Sequence, residues 1–337
     1  MEKEMKAKMK QMVDEALKGL KDYHASWPSG LLAKALLHYY QSNRYSELSL
    51  TIKLALVKYC KRLIRSRRKT YYLQDAVAGM ALIDLHQITD DNRYKVALDK
   101  LINDLKQHVS DEEGSLPYRP AQGNSDINVC TIGMVCPLLC KYGHTYGDAG
   151  SINLAVKQLR NFDSHGMDSR SGLPYHGYNY KSGICKGIIG WGRACGWLLI
   201  GMIESLLFID PQHPDYDRIK QSYRHLVDKV ENYQRADGMY SWQLSALEGN
   251  HDTSATAMIL YAIAKGIEHE ILVSGHRSRM VRGRDVLAAM VDGGKMGDCL
   301  TECGEFGVYP QQYGTYPWSL GPALSLFSVD VKEPHTK

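Results

Sequence analysis

The sequence has no long hydrophobic run, although 44% of its 337 residues are apolar. No stretch approaches the roughly 20 consecutive apolar residues that a membrane-spanning helix needs, so we expect no membrane partner. The first segment, MEKEMKAKMKQMVDEALKGL, is charged and lacks both the apolar region and the cleavage site of a secretory signal. The sequence therefore predicts a cytoplasmic protein.

A strong excess of one charge is also missing, and so are paired cysteines. The net charge is +4, and the basic run KRLIRSRRK, from Lys61 to Lys69, is typical of a solvated helix end. The eight cysteines contain no CxxC pair, and no histidine near Cys136 and Cys140 completes a zinc site. We expect reduced thiols, no metal and no nucleic-acid partner.

Phenylalanine is scarce, whereas its hydroxylated counterpart is abundant. The chain has 4 Phe against 22 Tyr, together with 5 Trp. A core that only has to pack has no reason to prefer tyrosine so strongly. Tyrosine suits a wet, amphipathic surface such as a saccharide groove, although compositional drift would give the same count.

Helical periodicity dominates the chain, and strand-like alternation is rare. Strongly apolar segments near 75–88, 191–208 and 252–268 alternate with amphipathic ones near 91–107 and 214–234. Such alternation predicts inner and outer helices of a helical barrel. The other candidate helices lie near residues 4–20, 30–43, 49–66, 127–142, 149–162, 277–290 and 320–328.

About twelve helices in this order predict an all-α fold, an (α/α)6 barrel of six helical hairpins. No Pro/Ser-rich linker or change of composition divides the chain, so we expect a single domain over residues 25–337. The helix within residues 1–24 is either part of the barrel or appended to it. An open α-solenoid is the competing architecture, but no repeat of about 34 to 47 residues is visible.

The segments GLPYHGYN and GWGRACGW concentrate side chains that suit a polar, ring-shaped and anionic ligand. Aromatic faces cover the apolar side of a ring, and a guanidinium offers a planar fork to a carboxylate. Both segments precede an apolar helix in a glycine-rich setting. The candidate binding residues are Tyr175, His176, Trp191, Arg193 and Trp197.

Three further tryptophans, Trp27, Trp242 and Trp318, lie at or before the starts of predicted inner helices. The N-termini of inner helices meet at one rim, where their free N–H groups favour an anion. We therefore add Trp242 and Trp318 to the binding candidates. Asp75 and Asp126 also precede apolar helices and are either helix caps or acid–base groups.

Eight collinear segments resemble the unsaturated glucuronyl and rhamnogalacturonyl hydrolases, glycoside hydrolase families 88 and 105. They cover nearly the whole chain from about residue 25. In order, they read SWPSGLLAKALLHYY, YYLQDAVAGMALIDLHQITDDNRYKVALDKL, VCTIGMVCPLLCKYG, GMDSRSGLPYHGYN, GIIGWGRACGWLLIGMIESL, DGMYSWQL, DTSATAMILYAIAKGI and YPWSLGPALSLFS.

The resemblance implies an (α/α)6 barrel that acts, without metal or organic cofactor, on acidic oligosaccharides left by polysaccharide lyases. In this family an aspartic acid protonates the vinyl ether of a terminal 4,5-unsaturated uronic acid, water adds, and the hemiketal opens to release the unsaturated sugar. The first important aspartate of the family corresponds to Asp75. The pocket histidine, tryptophans and arginine correspond to His176, Trp191, Trp197 and Arg193.

One position departs from the family pattern. The proton-donating aspartate normally begins a motif like DTIGMICPFL, but this chain reads CTIGMVCPLL, which puts Cys130 in its place. A thiol, with an ordinary pKa of about 8.5, is a poor proton donor to carbon. Asp126 would share the side of Cys130 if the helix began early, and is otherwise a cap or loop residue.

The sequence thus leaves more than one function open. A hydrolase would use Asp75, with Asp126 or Cys130 in place of the acid. A binding protein for acidic saccharides would have kept the pocket and lost catalysis. A third interpretation, sugar epimerisation, would need paired histidines, for which His144, His176 and His251 are available. The oligomeric state is expected to be a monomer or a homodimer.

Overall fold

The computed structural model describes residues 2–43, 47–67, 69–108, 111–118 and 125–331. These residues are predominantly helical. Within the described ranges the helices are α1 (Glu2–Asp22), α2 (Trp27–Ser42), α3 (Ser49–Ser66), α4 (Asp75–Thr89), α5 (Asn92–Lys106), α6 (Val129–Tyr146), α7 (Ala149–His165), α8 (Gly192–Leu206), α9 (Tyr216–Glu231), α10 (Thr253–Glu268), α11 (Arg277–Ala289) and α12 (Pro317–Phe327).

The helices form two concentric rings. Each even-numbered helix contacts the next even-numbered one, and α12 closes the inner ring by packing against α2. The odd-numbered helices lie outside, with α3 and α5 on α4, α7 on α6, α9 on α8 and α11 on α10. This arrangement confirms the predicted (α/α)6 barrel.

Burial explains which helices lie inside. All 15 residues of α8 are buried, as expected for a helix that touches neighbours all round. Its outer partner α9 buries one face, which carries Ile219, Tyr223, Leu226 and Val230 at the spacing of successive helical turns. The inner and outer assignments predicted from apolar and amphipathic patterns are confirmed for both helices.

Helix α1 lies in the outer ring. It contacts α2, α3 and α12, and its Met12, Val13 and Ala16 have no exposed surface. These side chains belong to the same buried cluster as the core of the inner helices. The barrel core thus extends over α1.

Helix α6 begins later than predicted. Asn128 precedes its first residue, and the Asn128 side chain accepts a hydrogen bond from the Cys130 backbone N–H at 2.8 Å. An asparagine in this position satisfies a free donor of the first turn, which fixes the helix start at Val129. The helix thus starts two residues after the position expected near 127, and Asp126 is neither the cap nor part of the helix.

Short antiparallel strands, which the sequence did not predict, connect the helices. In the first sheet Asp126 lies opposite Asn179, and Gly177 lies opposite Lys186. The strands are β1 (Asp126–Asn128), β2 (Gly177–Asn179) and β3 (Cys185–Lys186) in one sheet, β4 (Val291–Asp292) with β5 (Lys295–Met296), and β6 (Cys299–Leu300) with β7 (Tyr313–Gly314).

Among the described residues, no helix has both the length and the apolarity that crossing a membrane requires.

Candidate active site

A cavity of about 180 Å³ opens at the barrel end where the inner helices begin. Its walls come from the starts of α2, α6 and α8, from β1, from His176 just before β2, and from the loop after β6. Most of the predicted site residues meet there. Those that line the cavity are Asp126, Cys130, His176, Trp191, Arg193 and Trp197.

His176 is held by hydrogen bonds on both ring nitrogens. The Oδ1 of Asn128 accepts from Cys130, so its Nδ2 amide faces His176 Nε2, at 3.3 Å. Nε2 must then accept, and Nδ1–H donates to the Tyr309 hydroxyl at 2.8 Å. Burial, with the nearby charge of Arg193 second, lowers the pKa of His176 to about 3. The imidazole is therefore neutral near pH 7.

The terminal nitrogens of Arg193 already form hydrogen bonds to other groups of the protein. Its two terminal nitrogens donate to the carbonyls of Leu300 and Thr301, each at 2.6 Å. The guanidinium also lies 3.8 Å from an Asp252 carboxylate oxygen and 4.8 Å from the centre of the Trp191 ring. Arg193 thus fixes the backbone after β6 and places a buried positive charge in the cavity wall.

Indole rings form a broad apolar wall. Trp27 packs edge-on against Trp197 with ring centres 6.3 Å apart, and both rings line the cavity. Trp191 is 1% exposed, and its indole N–H has no hydrogen-bond partner among the described residues. The flat apolar faces of this wall suit the side of a sugar ring that is covered with C–H groups.

Trp318 supports this wall from behind. Its ring centre is 5.1 Å from that of Trp27, and it stacks on Tyr316 at 4.5 Å. Its indole N–H donates to the Leu300 carbonyl at 3.0 Å. Trp318 is not among the described residues that line the cavity, so its contact is with the wall.

Asp126 is the one predicted carboxylate on the cavity surface among the described residues. One of its oxygens lies 2.7 Å from Lys186 Nζ, and it accepts from the Asn179 side chain at 2.7 Å. Both partners belong to the same three-stranded sheet, so β-pairing brings Asp126 into the wall. Asp126 therefore lines the cavity although α6 starts only at Val129.

Cys130 lies in the first turn of α6, where the family pattern expects the acid. It is 7% exposed, and its thiol lines the cavity. Burial and then the neighbouring Cys303 raise the pKa of the Cys130 thiol well above its ordinary value. The thiol therefore stays protonated and unreactive as a base.

Asp75 lies apart from the cavity lining of the described residues. It has no exposed surface, and both its oxygens accept from Arg67 Nε, at 3.0 and 2.9 Å. The Tyr72 backbone N–H donates to it at 2.8 Å. Burial raises the pKa of Asp75, and these partners oppose the change. The carboxylate ties the turn before α4 to the end of α3.

Tyr175 and Trp242 also lie outside the described cavity lining. The Tyr175 hydroxyl interacts with Asp168, away from the indole wall. Trp242 packs against Tyr309, with ring centres 5.8 Å apart. Trp242 therefore backs the aromatic group around His176.

The histidines needed for an epimerase do not gather. His144 packs on the Phe208 ring, and His251 lies 3.4 Å from a surface carboxylate, that of Asp298. Of the three, His176 lines the cavity described here. The structure therefore does not pair the histidines that this interpretation requires.

Several wall residues were missed by sequence reasoning. The most consequential belong to the loop between β6 and β7, which carries two glutamates, Glu302 and Glu305, into the cavity. The signal available in TECGEFG was two carboxylates in a glycine-containing loop before the last inner helix. The other unpredicted lining residues are Tyr118, Asn128, Met134, Cys303, Gly304 and Phe306.

The arrangement combines stacking surfaces, a neutral histidine, a buried cation and three carboxyl groups at one opening. Asp126, Glu302 and Glu305 supply the carboxyl groups. Carboxyl groups that flank a bound sugar are the usual means of transferring protons to and from it. The cavity can therefore bind an acidic saccharide and offer it a proton.

Comparisons with known proteins give a consistent picture. The profile of Glycosyl Hydrolase Family 88 matches residues 1–301. The unsaturated rhamnogalacturonyl hydrolase YesR of Bacillus subtilis (strain 168) is 22% identical over 251 residues, 72% of this chain and 71% of the relative.

Solved structures share the fold over nearly the full length. A glycoside hydrolase from family 105 of C. acetobutylicum ATCC 824 has a TM-score of 0.83 at 18% identity, with 95% of this chain and 98% of the other covered. The unsaturated glucuronyl hydrolase of Bacillus sp. GL1 has a TM-score of 0.72 at 13% identity, with 96% of each chain covered.

Proposed function

Because this chain belongs to glycosyl hydrolase family 88, we propose that it removes a terminal 4,5-unsaturated uronic acid from oligosaccharides produced by polysaccharide lyases. The observation that carries the proposal is the meeting of Trp27, Trp191, Trp197, His176 and Arg193 around one cavity. These side chains provide stacking faces and positive charge for an acidic ring. All of them come from one chain, so the site needs no second copy, and a monomer or a homodimer would serve.

The indole rings would hold the sugar, and Arg193 would act on its carboxylate. Because its terminal nitrogens already donate to Leu300 and Thr301, Arg193 would attract the carboxylate by charge more than by a free bidentate fork. Neutral His176 would accept from a hydroxyl by exchanging its bond to Asn128.

The reaction would add water across the C4–C5 double bond of the uronic acid. A carboxylic acid gives its proton to C4, and the ring oxygen stabilises the positive charge that develops at C5. Water then bonds to C5 and returns a proton to the carboxylate, and the hemiketal opens to release the sugar. Asp126, fixed by Lys186 and Asn179, would orient that water.

Asp75 would serve this reaction as a positioning residue. Its bonds to Arg67 and the Tyr72 backbone hold the start of α4, next to the inner helices that carry the indole wall. We also propose a cytoplasmic location, which the free thiols of all eight cysteines support because reducing compartments favour them.

The test is the ultraviolet absorbance of the unsaturated uronate, which disappears when water adds. Purified protein would be mixed with unsaturated disaccharides from pectin, ulvan and glycosaminoglycan lyases. We expect absorbance to fall with at least one of these substrates. No loss with any of them would contradict the hydrolase proposal.

A second candidate function is binding without catalysis, favoured by Cys130 at the acid position. This proposal predicts that the natural protein binds an unsaturated disaccharide in calorimetry but does not consume it. Cys130→Asp would then create turnover, because it restores a carboxylic acid at that place. Turnover by the natural protein would exclude the binding-only function.

A further inference from the structure

The loop between β6 and β7 brings carboxyl groups to the cavity close to the start of α6. Residues 302–306 line the cavity together with Cys130 of α6. The Glu302 side chain is solvent-exposed at the mouth, and its charge contributes to raising the pKa of Cys130. Glu302 therefore faces the same space as the thiol that stands where an acid is expected.

The backbone that carries Glu302 is firmly held. Both carbonyls before it, those of Leu300 and Thr301, accept from Arg193 at 2.6 Å. The Leu300 N–H donates to Asp252 at 3.2 Å, and the Thr301 N–H donates to the Gln312 carbonyl at 2.9 Å. The anchored backbone therefore keeps the base of the Glu302 side chain at the cavity.

The other carboxyl groups of the cavity differ from Glu302 in their partners or in their position. Asp126 is in an ion pair with Lys186 and accepts a hydrogen bond from Asn179, so its carboxylate is held against the sheet. Glu305 also lines the cavity, but the charge of Glu302, and not that of Glu305, is among those that act on the Cys130 thiol. Among the described residues, no hydrogen bond or ion pair holds the exposed Glu302 side chain, so it can turn toward a bound sugar.

We propose that Glu302 donates the proton that a carboxyl group at position 130 would otherwise give. The inference rests on the proposed hydrolase function and names the acid for it. The Glu302 O–H bond breaks as a C–H bond forms at C4. Water bonds to C5, and its released proton restores Glu302, so the residue is unchanged after each cycle. Arg193 is then a positioning residue for the acid.

The experiment compares the natural protein with Glu302→Gln on the unsaturated disaccharide that it hydrolyses best. General acid catalysis contributes roughly 100-fold to 10,000-fold, so we expect kcat to fall at least about 100-fold. The Kd from calorimetry should change by less than about threefold, because Gln keeps the size and polarity of the side chain. The matched control is Glu248→Gln, an exposed loop residue outside the cavity lining, which should leave kcat unchanged.

A rescue variant separates proton donation from a structural role. Cys130→Asp in the Glu302→Gln background places a carboxylic acid on α6, in the same cavity, and should recover at least about tenfold of the lost kcat. If Glu302→Gln lowered kcat only by disordering the loop, a carboxylic acid on α6 would not restore kcat.

The proposal is overturned if Glu302→Gln keeps kcat within about threefold of the natural protein, or if Glu305→Gln alone abolishes turnover. It is also overturned if the natural protein binds the disaccharide without consuming it and Cys130→Asp turns it over, which would leave the binding function standing. If neither the natural protein nor Cys130→Asp binds the disaccharide or turns it over, the proposed function itself is contradicted.

Discussion

At the scale of single residues, the Asn128 amide connects helix formation to the chemistry of the site. Its oxygen must accept from the first turn of α6, so its nitrogen must face His176, and the histidine must carry its proton on Nδ1. The Tyr309 hydroxyl then accepts from His176 and donates to the Phe306 carbonyl at 3.0 Å. The helix cap thereby sets the tautomer of a cavity residue and links it to the loop that carries Glu302.

The neutral state of His176 predicts a pH-dependent stability. Its pKa is about 3 in the folded protein, against about 6.5 when unfolded, so the unfolded chain binds the extra proton first as the pH falls. His176 should therefore lower the free energy of unfolding by about 1.4 kcal/mol per pH unit between these values, with no contribution above pH 6.5.

Urea unfolding at several pH values checks this expectation. Between about pH 6.5 and pH 5, the free energy of unfolding should fall by about 2 kcal/mol more for the natural protein than for His176→Asn. This difference does not depend on how much the substitution itself destabilises the protein. His24→Asn, at an exposed histidine, is the control and should keep the slope of the natural protein. Parallel slopes for His176→Asn and the natural protein would mean that His176 is not buried in its neutral form.

At the scale of elements, α6 and α8 approach so closely that a glycine is required between them. A Cβ at Gly133 would lie 2.4 Å from the Trp197 carbonyl oxygen and 2.6 Å from its ring. On the partner helix, a Cβ at Gly201 would lie 2.9 Å from the Ile132 carbonyl oxygen. The small residues thus bring the first turn of α6 and the Trp197 ring together at the cavity.

Gly133→Ala should destabilise the protein and displace Trp197. The added methyl group forces backbone or ring to move, which typically costs about 1 to 3 kcal/mol in a packed core. Chemical denaturation would measure the loss, and tryptophan fluorescence would report the displaced ring.

Gly297→Ala is the control for this change, because no atom lies within 4 Å of a Cβ built there. Its stability should stay within about 0.5 kcal/mol of the natural protein. Equal stability of Gly133→Ala would show that α6 and α8 can separate without cost.

Elements also show what the sequence could and could not predict. The helices were predicted close to their observed bounds, because a buried stripe or a fully buried surface leaves a periodic signal over several turns. The strands escaped notice, since β1 and its partners are only two or three residues long. Glu302 was not predicted as a site residue for a related reason, since its loop has no periodicity. Arg193, which donates to the Thr301 carbonyl of that loop, is 108 residues away from Thr301 in the chain.

At the scale of the whole molecule, the two ends of the barrel differ in what fills them. The cavity occupies the end where the inner helices start. Further along the axis, Lys34 of α2 forms an ion pair with Glu204 of α8, and both are nearly buried. Since α2 and α8 are three positions apart in a closed ring of six, this pair crosses the interior. Asp84 and Lys141 form a second pair, at 2.7 Å.

The pair across the axis should couple opposite sides of the barrel in a double-mutant cycle. Burial lowers the pKa of Lys34, and Glu204 opposes that change. Removing either partner leaves a charge in the interior, which costs about 3 to 5 kcal/mol, so Lys34→Met and Glu204→Leu should each destabilise strongly. The double variant leaves neither charge, and we expect it to be at least 2 kcal/mol more stable than the sum of the single losses.

The surface pair Arg218 and Asp163 provides the comparison for this cycle. It links α9 to α7 at 3.3 Å, and its side chains are 45% and 28% exposed. Solvent screens such a pair, so the corresponding Met and Leu variants should each change stability by less than about 1 kcal/mol and show little coupling.

Additive losses at Lys34 and Glu204 would instead mean that water or the neighbouring Tyr261 hydroxyl, 2.8 Å from Glu204, compensates each charge separately. The interior around Lys34 and Glu204 would then be held by apolar packing, and this ion pair would not couple α2 to α8.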